Sequence, residues 1–152
     1  MERMTLVKLH AAAGALAMAL IALFWGTVLA SGLSGRMDVL ASVRLGILFA
    51  LPVLVLALAG TGVSGAVLAG GSRAPEIRAK QRRMALAAAN GLLVLIPGAV
   101  FLGWRAARGE FYGSYFIVQA VEMVAGPVNL LLLGLNLRAG LKMSAGRRRV
   151  AA

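Results

Sequence analysis

Glu122 is the sole acid inside a long apolar run, and a line of polar residues extends from it along the chain. Gln119, Glu122, Gly126, Asn129, Leu133 and Asn136 follow one another at intervals of 3, 4, 3, 4 and 3. On a helix that spacing drifts by only ~20° per seven residues, so all four polar side chains share one face. Polar groups are costly in hydrocarbon, so such a face must look into a bundle or onto a protein partner. Two chemistries fit. The groups can hydrogen-bond across helices and specify packing, or they can line a path or ligand site. An intramembrane acid suits a proton relay, a cation site or a ligand anchor. Glu122 lies eight residues from the start of its run, hence ~12 Å deep at 1.5 Å per residue. No Lys or Arg of another apolar run reaches that level, so the carboxyl is expected to be unpaired and neutral, bonded to Thr27 or Gln119. Asn90 and Asn129 come at matching depths in the third and fourth runs, which predicts a hydrogen bond between them worth about 0.6–2 kcal/mol.

His10, the sole histidine, opens the first apolar run, with Gly14 and Met18 at i+4 and i+8. Gly14 leaves room over the turn beside the imidazole. A haem iron could use that room with His10 as its axial ligand. The second ligand would be Met84, at the same level on the third run, or His10 of a second copy. Otherwise His10 is an interfacial residue bonded to lipid or to Asn136. No other metal site is expected. There is no cysteine, and one histidine does not make a zinc cluster. Walker, Rossmann, GxSxG and HExxH patterns are absent, as are nucleophile–base pairs, so no catalytic residue is assigned.

Four runs must position these residues: 11–30, 46–70, 84–104 and 114–137. Each is long enough to cross a ~30 Å hydrocarbon core. Without water the backbone must satisfy itself, so each run is a helix. Short connections at 31–45, 71–83 and 105–113 make neighbours antiparallel. The expected fold is all-α, a single four-helix antiparallel transmembrane bundle, followed by a frayed basic tail over 139–152. A cleaved signal peptide is not expected, because the first run exceeds the usual 7–15-residue apolar region. Pro52, Pro97 and Pro127 should kink their helices. Ala22, Gly26 and Ala30, and Ala57, Thr61, Gly65 and Ala69, form small-residue runs read as packing inside the bundle, or as a homodimer seam.

Composition agrees. Hydrophobic residues make up 61%, charged residues 14%, and mean hydropathy is +0.88, against about 25% charged in a soluble domain. This excludes a soluble enzyme domain and a disordered tail. The net charge of +11 is no sign of nucleic acid, because the basic residues sit between apolar runs and do not interleave with aromatics. They set topology and meet anionic lipid. Arg3, Lys8, the five of 71–83 and the five of the tail fall on one side, against Arg36, Arg44, Arg105 and Arg108 on the other. Both termini are therefore expected in the cytoplasm. The aromatics gather in the opposite half, either as an anchoring belt or as the wall of a pocket for a flat lipophilic ligand.

Lys8-Leu9-His10, Arg82-Arg83-Met84, Ala89-Asn90-Gly91-Leu92-Leu93 with Pro97, Val118-Gln119-Ala120-Val121-Glu122, Asn129-Leu130 and Gly134-Leu135-Asn136 resemble an uncharacterised family of short four-helix integral membrane proteins of proteobacteria. The resemblance covers nearly the whole chain and implies a fold and a bacterial inner-membrane location, with no activity. Through His10 the chain is also loosely similar to small membrane haem proteins of the protoporphyrinogen-oxidase and copper-resistance types. The tryptophans and second histidines often found in those types are missing here.

The expected function is b-type haem binding and electron transfer through His10, as a homo-oligomer in the lipid bilayer. The alternatives are an accessory or assembly subunit of a larger membrane complex, docked by the polar face of the fourth helix, and a small proton-coupled carrier that uses Glu122.

Overall fold

A computed structural model of the chain describes residues 2–71 and 74–150, with side chains described through Lys142. Ser72, Arg73 and the side chains of Arg147, Arg148 and Arg149, all used above, lie outside the described residues. The helices are α1 (Arg3–Leu33), α2 (Met37–Ala69), α3 (Pro75–Asn90), α4 (Ile96–Ala107) and α5 (Ser114–Val150), with one π-helical stretch, Gly91–Leu95, joining α3 to α4. α3, the π stretch and α4 form one rod. The chain thus presents four helices long and apolar enough to cross a membrane, and it is a multi-pass membrane protein.

The helices outrun the apolar stretches. α2 begins at Met37, nine residues ahead of the uncharged run that starts at Gly46. Gly35, at φ +68°, turns the chain after α1, and a β-carbon there would be strained. Asp38 then sits in the first turn of α2, where the helix dipole favours an acid, and binds Arg36 at 2.6 Å. The connection expected over 31–45 therefore shrinks to 34–36, and Arg44 lies two turns inside a helix. Pro75 and Glu76 start α3 in the same way, so Arg78, Lys80, Arg82 and Arg83 are helical. The stretch expected to be a frayed tail continues α5 as a helix to Val150.

The four rods pack in a ring. α1 lies along α2, and α5 touches α1 and both halves of the third rod. That rod changes neighbours along its length: α3 packs mainly on α5, and α4 mainly on α2. The π stretch marks the change. It precedes Pro97, whose missing N–H and ring disturb the α-helical bonding there.

Small residues bring α1 and α2 together. A β-carbon on Gly14 would lie 3.6 Å from Thr61, and one on Gly60 would lie 3.8 Å from Ala13. Ala57 and Thr61 are buried, so the small run of α2 faces inward. The run on α1 differs: Ala22 and Ala30 are exposed and Gly26 has open space beside it. Packing within the bundle does not use it. The main core joins Ala17, Ile21 and Val28 of α1 to Ile47, Leu51, Leu54 and Ala57 of α2, with Leu133 of α5 closing it. A second cluster, Leu40, Leu102, Ala106 and Tyr115, seals the end that carries the 34–36 and 108–113 loops.

Candidate functional site: a buried ion pair beside a cavity

Seven residues of helix carry Arg44 inward from the start of α2, and eight carry Glu122 inward from the start of α5. The two side chains meet at one level. Arg44 is 1% exposed and Glu122 16%. Nη1 of Arg44 donates to Oε2 of Glu122 in a short, direct ion pair, and Nη2 donates to Oε1 of Gln119 at 3.3 Å. The fully buried Tyr115 ring lies on the same face of α5, one turn from Gln119. Glu122 is therefore not the unpaired acid expected from the apolar runs. Its partner was hidden because the second run was bounded by hydropathy at Gly46. The start signal at Gly35 and Asp38 could have found it, since counting from there puts Arg44 at the depth of Glu122. Thr27, expected as a partner, turns back onto the carbonyls of Leu23 and Phe24 in its own helix.

A cavity of about 60 Å³ opens beside this pair, and the space grows to about 600 Å³ once its open side is included. Its walls are mostly aliphatic, drawn from α1, α2, the third rod and α5. Arg44, Glu122 and Asn129 are its charged and amide residues, and Phe24 and Trp25 its aromatics. Two buried polar atoms of this lining have no hydrogen-bond partner, Nε of Arg44 and Oδ1 of Asn129. The aromatic-walled pocket expected from sequence is thus an aliphatic one with two rings.

Trp25 fixes the α1 wall. Pro127 cannot donate to the carbonyl four residues before it, that of Met123. The indole Nε1 of Trp25 supplies the missing donor at 3.0 Å. A β-carbon on Gly126 would come within 2.8 Å of Trp25 Cδ1, so glycine there makes space for the ring. The sequence held half of this signal, because Pro127 names the orphaned carbonyl; the donor depends on how α1 is rotated.

The remaining polar residues of α5 also point inward. Asn136 accepts from Nε of Arg83 at 2.9 Å and donates to the Lys80 carbonyl at 3.2 Å. Asn90 donates to the Ala125 carbonyl at 2.9 Å and does not make the bond to Asn129 expected from depth. Asn129, 1% exposed, comes beside Gly91, where a β-carbon would lie 3.9 Å from its Nδ2. The lipid-facing side of α5 is instead Phe116, Ile117, Val121, Val124 and Leu131, all exposed. The polar line expected as a docking face is used up inside the bundle.

His10 lies well away from this cavity, against α2. Its Nδ1 is 3.1 Å from the Thr61 carbonyl and 3.0 Å from Oγ of Ser64. A carbonyl can only accept, so Nδ1 carries the proton and Nε2 keeps its lone pair. Gly65 faces the ring edge, and a β-carbon there would be 3.1 Å from Cε1. The close-fitting glycine is thus Gly65; Gly14 faces Thr61. Neither lipid nor Asn136 is needed to satisfy Nδ1. Met84 packs against the main core. No group of three or more potential metal-binding His, Cys, Asp or Glu side chains occurs among the described residues.

Comparison with known proteins leaves these arrangements to be read on their own chemistry: no family model matches the chain, and neither a curated protein nor a solved structure does.

Proposed function

We propose that this chain is a small proton-linked carrier of the bacterial inner membrane, with both termini in the cytoplasm, working as a homo-oligomer. The observation that carries the reading is the Arg44–Glu122 pair, buried between α2 and α5 and bordering a cavity. A buried pair is weak evidence for stability alone, because desolvation offsets much of its attraction. Beside a cavity it is a natural switch. A proton on Glu122 cancels the carboxylate charge and leaves the Arg44 guanidinium free to meet another partner. The walls have the means to move: Pro127 lies in α5, and a π stretch forms part of the cavity wall. π stretches are frequent at functional sites. Four helices enclose little space, which favours assembly of several copies.

The test uses Trp25, which lines the cavity, in a Trp104→Phe background that removes the other indole. Between pH 8 and 5, Trp25 emission should follow a one-proton titration in the parent protein and stay flat in Glu122→Gln. A flat parent profile would sink the reading.

A second reading rests on His10. Donation from Nδ1 to the Thr61 carbonyl is the arrangement that orients a histidine for metal ligation through Nε2. A b-type haem would be held by His10 from two copies, or by His10 and Met84, and would pass electrons. Absorption spectra of the purified protein, oxidised and dithionite-reduced, should then show a Soret band that shifts on reduction and is lost in His10→Ala. A colourless protein that stays colourless after haem is added removes this reading.

A further inference from the structure

The charge balance of the cavity constrains what it can admit, granted the proton-linked reading above. We infer that the cavity beside Arg44 takes the head group of a small amphipathic carboxylate, admitted as an anion together with the proton that Glu122 takes up.

With Glu122 ionised, the site is electrically neutral: one guanidinium, one carboxylate. The groups facing the pair are few. α2 supplies Arg44, and α5 supplies Glu122 with the amide of Gln119 and the phenol of Tyr115. α1 contributes Trp25 and aliphatic residues, and the third rod contributes Gly91, Leu95, Ile96 and Ala99 to the lining. No further charge is available to compensate a change. Protonation of Glu122 therefore leaves one net positive charge in apolar surroundings. A cationic ligand would double it, and a neutral one would leave it standing. A monoanion restores neutrality, so one proton and one anion enter together and no net charge moves.

The hydrogen-bonding inventory agrees. Arg44 is 1% exposed, and its Nε is a donor without an acceptor even while Nη1 and Nη2 are engaged. Once Glu122 is protonated, Nη1 joins Nε on the guanidinium edge, and a carboxylate can be bound in the two-bond fork that arginine prefers. Oδ1 of Asn129 has no donor and lines the same cavity. It is left for a water or a ligand hydroxyl, the usual partners of such a buried acceptor. The enclosed part of the cavity suits a head group or a few waters, each needing roughly 10–15 Å³ by this measure. The open side and the aliphatic walls suit an apolar tail.

The experiment uses the full chain in nanodiscs, with octanoate as the probe and octylamine and octanol as controls of equal tail length. Between pH 8 and 6 octanoate is almost wholly ionised, as carboxyl groups titrate near about 4. Over that range its Kd should tighten by roughly tenfold or more, bounded by about tenfold per pH unit for one linked proton, with close to one proton taken up per octanoate bound. Glu122→Gln should bind octanoate with no pH dependence and no proton uptake. Arg44→Gln paired with Glu122→Gln, which removes both charges together and so protects the fold, should bind no better than it binds octanol. Trp25 emission is followed in the same samples without ligand. If Trp25 titrates through Glu122 while octanol or octylamine binds as well as octanoate, or octanoate binding is insensitive to pH, the carboxylate inference is overturned and the proton-linked reading stands. If Trp25 does not titrate, both fall.

Discussion

At the end of the bundle that carries the 34–36 and 108–113 loops, Arg36 binds Asp38, Arg44 binds Glu122, Arg105 binds Glu110 at 3.2 Å, and Arg108 lies 3.5 Å over the Trp104 ring. At the end that carries the termini, Arg3, Lys8, Arg78, Lys80, Arg82, Arg83, Arg138 and Lys142 form no ion pair among the described residues, which hold three pairs in all. Arg83 finds only a neutral partner, Asn136. The same residue type thus serves two ends differently. Near the loops each arginine is matched locally, by a carboxylate or a ring. Near the termini positive charge is left in excess, as suits a surface that meets anionic lipid. Net charge therefore says little about the site: the cation that matters most for function is the one whose charge is cancelled.

The sharpest way to break this comparison is to remove one partner of the buried pair. Glu122→Leu should cost about 3–5 kcal/mol in a detergent unfolding titration, because it strands the Arg44 charge. Arg44→Leu added to Glu122→Leu should recover most of that loss. If the single and double variants are equally unstable, the cost lies in packing and not in charge. Next in size, Gly126→Ala should lose roughly 1–3 kcal/mol by forcing Trp25 off its bond to Met123, and Trp25→Ala in the same chain should relieve the clash. The smallest effect sharpens the contrast between ends. Arg82→Gln should leave stability in zwitterionic lipid within about 0.5 kcal/mol, yet weaken thermal stabilisation by added cardiolipin. Arg108→Gln should leave the cardiolipin effect unchanged.

Much of the architecture was legible because hydrocarbon imposes one rule, that a backbone must bond to itself. Four uncharged stretches near twenty residues long leave little choice. The inward direction of the α5 polar line was legible too, as a matter of spacing. What hydropathy could not give was the true length of the helices. α2 continues nine residues beyond its apolar stretch, and those residues hold Arg44. A membrane scale reads arginine as the end of a span, whereas a helix start read from Gly35 and Asp38 makes it part of one. Depth matching paired Asn90 with Asn129, but depth fixes only one coordinate. Rotation about the helix axis turned Asn90 toward the Ala125 carbonyl. The same missing angle hid the bond from Trp25 to Met123 and the closeness of Gly65 to His10.

The π stretch at Gly91–Leu95 gives the third rod an unusual grammar. A π turn accommodates one residue more than the α-helix around it, and one residue is worth about 100° of rotation. Deleting a single residue there would not simply shorten the rod. It would turn the whole of α4 relative to α3, carrying Gly103 away from Leu48, which a β-carbon at that glycine would approach to 3.3 Å. Insertions and deletions in a membrane helix are usually thought of as changes of length. Here the reading frame of the surface is at stake, and one extra residue is what lets a single helix address two different neighbours.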